Sequence, residues 1–315
     1  TSVINLMSVS YFNIDGSGTV GDGRNIIISN TNSTTSSSAI YYYNSPTLPS
    51  NNNSVQNCVI KTGSLQNNNN GIKVDATGGG NNNFIIRNNL IGNTRNCIFL
   101  RGINSIDNIP NAVIEDNILG NDTLPLGKRG IIALNVPGIT INNNTITGMT
   151  DGNNIAQQVG IMIEGSCQNS TMTISNNRIG NLKYNGTFPH SCIGIDYHSN
   201  QDGETIIFNN IIYDIQAPAR PATYNTQGYD ITSGIYLVDA ENVKLYNNTI
   251  SLDGECLSPS TEGNSANVVV NGNFSGTIDM RNNILHNNQT VDGTAVDENK
   301  TYAVVCYPDI SVFSN

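Results

Sequence analysis

The chain has 315 residues, with 14 Lys or Arg against 24 Asp or Glu, so its formal net charge is −10. That balance excludes a nucleic-acid groove, which needs clustered cations against phosphate. Charged residues are only 12% and Asn is about one residue in six, a composition shared with disordered chains, but Ile and Val recur at regular places and supply a continuous core.

In chain order, residues 1–44 carry four short apolar stretches: Val3-Ile-Asn-Leu6, Tyr11-Phe-Asn-Ile14, Asn25-Ile-Ile-Ile28 and Ala39-Ile-Tyr-Tyr-Tyr43. A phrase of the form apolar-x-Asn-Asn-x-apolar then begins, weakly, at Val55-Gln-Asn-Cys-Val-Ile60. It returns as Ile86-Arg-Asn-Asn-Leu-Ile91, Ile114-Glu-Asp-Asn-Ile-Leu119, Ile141-Asn-Asn-Asn-Thr-Ile146 and Ile174-Ser-Asn-Asn-Arg-Ile179. Three more copies are Ile207-Phe-Asn-Asn-Ile-Ile212, Leu245-Tyr-Asn-Asn-Thr-Ile250 and Met280-Arg-Asn-Asn-Ile-Leu285. The second Asn of each copy falls at Asn57, Asn89, Asn117, Asn144, Asn177, Asn210, Asn248 and Asn283, at intervals of 32, 28, 27, 33, 33, 38 and 35 residues. An internal repeat of this length indicates a stacked architecture.

The phrase has a physical reading. Alternation of apolar and polar residues marks a strand with one buried face. Asn-Asn interrupts it where the chain turns, because Asn tolerates the left-handed conformation. If each repeat forms one coil, equivalent Asn side chains stack about 4.8 Å apart. At that spacing their amides hydrogen-bond in a ladder, which satisfies a buried polar column.

Between the Asn phrases lies a second strand class: Gly71-Ile-Lys-Val74, Cys97-Ile-Phe-Leu100, Gly130-Ile-Ile-Ala133, Gly160-Ile-Met-Ile163, Gly194-Ile-Asp-Tyr197 and Gly234-Ile-Tyr-Leu237. With a third short strand after each Asn-Asn, these elements predict an all-β parallel solenoid of about 8–10 coils, forming one domain over 1–315. On these residues the chain resembles the right-handed parallel β-helix superfamily, the fold of the pectate-lyase-like proteins, with its asparagine ladder. Tyr11-Phe-Asn-Ile-Asp-Gly-Ser-Gly18, followed by Ile26-Ile-Ile-Ser-Asn-Thr-Asn32, resembles the opening coils of repeat domains in large secreted bacterial surface proteins. The resemblance implies fold far better than function, since such folds host lyases, hydrolases, adhesins and passive fibres.

In enzymes of that superfamily the chemistry lies on one parallel sheet and uses clustered carboxylates, often with calcium. The strand pattern here points Ile161, Ile163, Ile195, Tyr197, Ile235 and Leu237 inward. It places Met162, Glu164, Asp196, His198, Tyr236 and Val238 outward. Glu164 and His198 become neighbours on adjacent coils with Asp196 two residues along, a carboxylate–imidazole grouping suited to acid–base work or a metal. A solvated strand face explains the same residues. The superfamily's signatures Asn-Thr-Asp, Gly-His-Gly and Arg-Ile-Lys are missing, and so is an acidic row of calcium-site character.

Six cysteines lack zinc or redox spacing. Cys167 and Cys192 flank neighbouring strands, so a disulfide across one coil step is one expectation and two buried thiols the other. The stretch 216–222 followed by Tyr224 and Tyr229 offers an aromatic rim for glycan stacking, or a plain surface loop. No signal peptide or membrane-spanning run is read in the chain, and both ends look uncapped. The expectation is a secreted, bacterial cell-surface β-helix with a structural or adhesive role, contacting glycans or associating with itself into an extracellular filament. No cofactor is expected apart from calcium, and no membrane insertion. The alternative is a polysaccharide lyase or glycoside hydrolase.

Overall fold

The computed structural model describes the chain except for residues 1, 19–22, 35, 46, 78–80, 105–107, 150–156, 166–169, 185–189, 200–202, 218–230, 258–263, 273–275, 293–299 and 308–315. The described residues contain strands and turns but no helix. Strands from successive repeats pair in parallel and build three long sheets of ten, nine and nine strands. The first sheet collects the Gly-Ile strands, such as Asn70–Ala76, Thr94–Gly102, Leu126–Leu134, Gln158–Glu164, Cys192–His198 and Thr232–Val238. The second holds the strand before each Asn-Asn, and the third the strand after it. The chain is a parallel β-solenoid.

Register explains the repeat. Ile72, Ile98, Ile131, Ile161, Ile195, Ile235 and Val268 pair in one unbroken row of the first sheet. Together with Ile86, Ile114, Ile141 and Ile174 of the second sheet and Ile91, Leu119, Ile146 and Ile179 of the third they fill a single core. Its stabilisation comes from stacking like on like, at about 25 cal/mol per Å² of apolar area removed from water. The recurrent glycine has a packing cause. A Cβ on Gly160 would stand 2.6 Å from the Gly194 carbonyl oxygen and 2.7 Å from the Ile179 side chain, and Gly130 and Gly194 are crowded in the same way.

From Asn89 to Asn248 the second asparagine of each phrase is buried, and with Asn283 these side chains join a continuous ladder. Asn144 donates through both its backbone N–H and Nδ2 to Asn177 Oδ1, at 2.9 and 3.0 Å. Its Nδ2 also donates to the Ile114 carbonyl of the previous coil, at 2.9 Å. Its own Oδ1 accepts from Asn117 N and Nδ2. The same pattern runs through Asn89, Asn117, Asn144, Asn177, Asn210, Asn248 and Asn283.

Asn57 requires a correction. It stands in the neighbouring column of turn residues Asn88, Asp116, Asn143, Asn176, Asn209, Asn247 and Asn282, all with φ between 50° and 59°. Asn88 Nδ2 donates to Asn57 Oδ1 at 2.8 Å, and Asn57 Nδ2 donates to Asp15 Oδ1 at 2.7 Å. The ladder position beside it belongs to Cys58, whose N–H donates to Asn89 Oδ1. The phrase Gln-Asn-Cys keeps the turn asparagine and replaces the ladder amide with a small apolar side chain.

The disulfide expectation fails at Cys192. That thiol is free and wholly buried, and its Sγ donates to Gln158 Oε1 at 3.3 Å; Cys167 lies outside the described residues. Cys58, Cys97 and Cys256 are likewise free and buried, and burial raises their pKa values and holds them as thiols. The loops read at 254–264 and 286–300 contain structure too, since Glu255–Leu257 and Thr290–Asp292 pair as a small parallel sheet.

The two columns predict opposite tolerances. Asn144→Leu leaves two buried donors of Asn117 without their acceptor and should destabilise by ~3 kcal/mol or more. Asn143→Gly, one residue earlier at φ 53°, suits glycine and should stay within ~1 kcal/mol of the parent. Denaturant titration of both variants checks this, and equal losses would contradict the ladder.

Candidate functional site

Side chains on the outer face of the first sheet stand in three parallel rows, one residue per coil. One row runs Ser38, Asn70, Asn96, Arg129, Val159, Ile193 and Ser233. The second runs Tyr41, Lys73, Phe99, Ile132, Met162, Asp196 and Tyr236, and the third Tyr43, Asp75, Arg101, Leu134, Glu164, His198 and Val238. Neighbours within a row sit about 4.8 Å apart by strand spacing. Chemistry collects at two ends of this surface.

At the N-terminal end, Asp75 is nearly inaccessible and gathers three partners. Lys73 Nζ lies 2.7 Å from Asp75 Oδ2, Arg101 Nε lies 2.9 Å from Oδ1, and the Tyr41 hydroxyl donates to Oδ2 at 2.8 Å. Rings surround the cations. Lys73 Nζ is 4.7 Å from the Tyr41 ring centroid and 5.8 Å from that of Phe99, Arg101 stands 6.0 Å from Phe99, and Tyr41 stacks on Tyr43 at 4.9 Å. Burial and the bonded Asp75 carboxylate both raise the Tyr41 phenol pKa, so it remains a neutral donor. Beside this group lies an open cavity of about 290 Å³, with Ser2, Asn5, Ser38, Tyr41, Asn70 and Lys73 among its walls.

At the C-terminal end the expected trio comes together. Glu164 and His198 pair across adjacent strands, and His198 Nε2 lies 2.7 Å from Asp196 Oδ1. The solvated-face reading is corrected here. Asp196 is 1% exposed, and Met162, Tyr236 and Val238 belong to a second buried cluster on the outer face with Val159, Ile193, Ile231, Ala266 and Val269. The Tyr236 ring lies 6.0 Å from His198, and its hydroxyl accepts from Asn271 Nδ2 at 2.9 Å. Burial pushes the His198 pKa down, but the bond to Asp196 and the charges of Asp196, Glu164 and Asp239 outweigh it, leaving the value above the ordinary 6.5. The protonated form of His198 is therefore favoured more than in a free imidazole, by the carboxylates around it.

Between the two ends lie Lys128 and Arg129, which form no ion pair among the described residues. Lys128 is 7% exposed, and burial, with Arg129 and Arg95 nearby, pushes its pKa down to about 7. Arg129 Nε, Asn96 Oδ1 and Ser233 Oγ are buried polar atoms without a hydrogen-bond partner, and all three residues belong to one row of this face. Orphan polar atoms lined up on one surface are a mark of a ligand face.

Among the described residues no group of three or more His, Cys, Asp or Glu side chains could hold a metal ion. Among those residues, too, no helix is long and apolar enough to cross a membrane. Tyr224 and Tyr229 of the expected aromatic rim lie outside the described residues.

No family model matches this chain, and no curated protein sequence matches it. Similar solved structures include a DFA-IIIase variant from Arthrobacter chlorophenolicus in complex with DFA-III, at 12% identity and TM-score 0.49, with 95% of this chain and 66% of that one covered. The same enzyme without its lid aligns at 13% identity and TM-score 0.42, over 95% of this chain and 75% of that one. The A-module of a mannuronan C-5 epimerase from Azotobacter vinelandii aligns at 12% identity and TM-score 0.24, over 98% and 91%. These neighbours are carbohydrate-processing β-helix proteins. With every TM-score below 0.5, the likeness carries no argument about this chain.

Sequence reasoning passed over Tyr41, Lys73, Asp75, Phe99 and Arg101, along with Lys128 and Arg129. A signal for the first five was present. Extending the inward Ile row back to Ile98, Ile72 and Ile40 makes the first and third residues after each Ile outward, which gives Phe99 and Arg101, Lys73 and Asp75, and Tyr41.

Two titrations follow. The raised His198 value means that its pairing contributes fully below the unfolded pKa near 6.5 and is lost as pH rises through the folded value. In an NMR titration His198 should titrate above 6.5 in the parent and below it in Asp196→Asn; an unmoved pKa contradicts the pairing. Lys128 has the opposite sign, with its cost present in full below about pH 7 and shrinking toward its ordinary 10.5. Lys128→Met should stabilise the fold by ~2 kcal/mol at pH 6, with the gain fading by pH 10.

Proposed function

We propose that this chain is a glycan-binding β-helix that lays a carbohydrate chain along the outer face of its first sheet. The observation that carries the reading is the Tyr41–Lys73–Asp75–Arg101 group beside the cavity. Aromatic rings offer flat apolar faces to sugar C–H bonds, and Tyr41 and Tyr43 are already stacked and half exposed. Around them stand hydroxyls, amides and a lysine in a concave setting, the mixture that recognises a hydroxyl-rich ligand. Asp75 fixes Tyr41, Lys73 and Arg101 together, so little side-chain freedom remains to be lost on binding. A secreted, cell-surface and adhesive setting accompanies this reading, since a stack of bonded coils over a dry core makes a stiff support for a binding face.

A second reading, turnover of the bound glycan, is favoured by one observation. The His198 imidazole is paired with Asp196 and stands beside Glu164 of the adjacent strand, so an acid–base side chain and a carboxylate share the surface that the glycan would follow. Depolymerisation lost in both His198→Gln and Glu164→Gln would establish it; binding without product release leaves the chain an adhesin.

Calorimetry of the full chain against neutral oligosaccharides of several lengths tests the main reading. Micromolar to millimolar binding is expected, with Tyr41→Ala weakening it at least tenfold, about 1.4 kcal/mol. Binding that ignores Tyr41, or none across the panel, would overturn the proposal.

A further inference from the structure

We infer that Lys128 and Arg129, with Arg95 beside them, form a binding site for a small oxyanion group, either free in solution or carried on a sugar as a carboxylate or sulfate. The inference does not depend on the glycan reading, because it rests on Lys128 and Arg129, which form no ion pair among the described residues. A buried ammonium or guanidinium is costly unless a counter-charge or hydrogen bonds attend it. The Lys128 residue is 7% exposed and among the described residues makes no side-chain hydrogen bond or ion pair, while the wholly buried unbonded nitrogen of the pair is Arg129 Nε. Arg129 is also largely enclosed, with Nε buried and unbonded. Glu164 and Asp196 act on Arg129 only at longer range, and neither forms an ion pair with it. Arg95, the third cation, is tethered through Nη1 to the Gln66 carbonyl at 2.8 Å and adds its charge to the Lys128 surroundings. Three cations are thus concentrated in a chain whose net charge is −10.

The backbone is built for it. Strands Thr94–Gly102 and Leu126–Leu134 pair Thr94 with Leu126 but Asn96 with Arg129, so the second strand carries an extra residue and bulges at Gly127 and Lys128. Bulges re-aim a side chain that regular pleating would direct elsewhere. Gly127 permits the close approach of the neighbouring segment, since a Cβ there would stand 2.5 Å from the Leu65 carbonyl oxygen. That segment continues to Asn68, a wall of the cavity, and the row Ser38, Asn70, Asn96, Arg129 leads from the cavity toward the site. An anion placed here would meet a planar fork from Arg129 and a point charge from Lys128, a pairing suited to carboxylate or sulfate oxygens. It would also restore the proton on Lys128, whose pKa is depressed in its absence.

The test uses the full chain at pH 6 and constant ionic strength. Sodium sulfate, sodium phosphate, a uronate trisaccharide and a neutral trisaccharide are each compared with chloride by thermal shift and calorimetry. Sulfate, phosphate or the uronate should raise the melting temperature beyond chloride, with affinity falling at least tenfold in Lys128→Met and in Arg129→Met. Affinity should also drop between pH 6 and pH 8 as Lys128 loses its proton. Tighter binding of the uronate than of either free ion places the anion on a glycan, whereas binding of the free ions alone makes this a site for a soluble oxyanion. Tyr41→Ala should leave free-ion affinity unchanged, which separates failure here from failure of the glycan reading. A shift matched by chloride, or undiminished in Lys128→Met, would overturn the site; that variant is expected to fold more stably, so its result stands even if Arg129→Met does not fold.

Discussion

The stacking of one asparagine amide on the next is the constraint from which the rest of this solenoid follows. Each ladder Asn sits beside a core Ile, and each has one side-chain oxygen and two N–H groups to place where water cannot reach. In the middle coils the three are met together by the Asn of the coil on either side and by a backbone carbonyl of the previous coil. Slipping one coil by a residue would leave those donors unsatisfied and turn the alternating Ile residues of its strands outward at the same time. Polar and apolar demands therefore select the same register, and that agreement specifies one structure despite coil lengths that vary by more than ten residues.

Once the ladder and the three inward Ile rows fix the register, the outer face of the first sheet becomes a set of columns whose contents the core leaves free. One column changes from tyrosine to lysine, phenylalanine, isoleucine, methionine, aspartate and tyrosine as the coils ascend. In a globular protein such a series would be scattered over the surface. Here it is colinear, so chemistry that is distant in sequence lies a few strands apart. The extra residues between coils leave at the turns, which is why insertion at Lys128 could bulge one strand without disturbing the rows that follow.

This geometry also explains what the sequence could and could not reveal. The ladder was legible because buried amides in register demand the same residue in every coil, and repetition is visible in a string of letters. Asn57 misled because Gln-Asn-Cys preserves the turn asparagine but not its ladder neighbour, and two adjacent columns of asparagine look alike until φ separates them. Glu164, Asp196 and His198 could be brought together from alternation alone, yet their burial could not, since a second apolar cluster covers the outward face there and nothing in a single strand announces it. The Tyr41–Lys73–Asp75–Arg101 group was missed for a plainer reason. Its residues come from three different strands, and each contributes only one or two of them.

The unpaired cations follow from the same separation of duties. Core and ladder account for the stability of the coils, so the outer face can carry groups that lower it. Lys128 and Arg129 do so: both are largely enclosed, neither forms an ion pair among the described residues, and Glu164 and Asp196 offset the cost at Arg129 only in part. Were the outer face a passive wall, uncharged residues at these two positions would give a more stable solenoid with every ladder bond intact. Polar groups held in a costly state on a rigid support are what ligand recognition requires, because the ligand then supplies the missing partner and the binding energy includes relief of that cost.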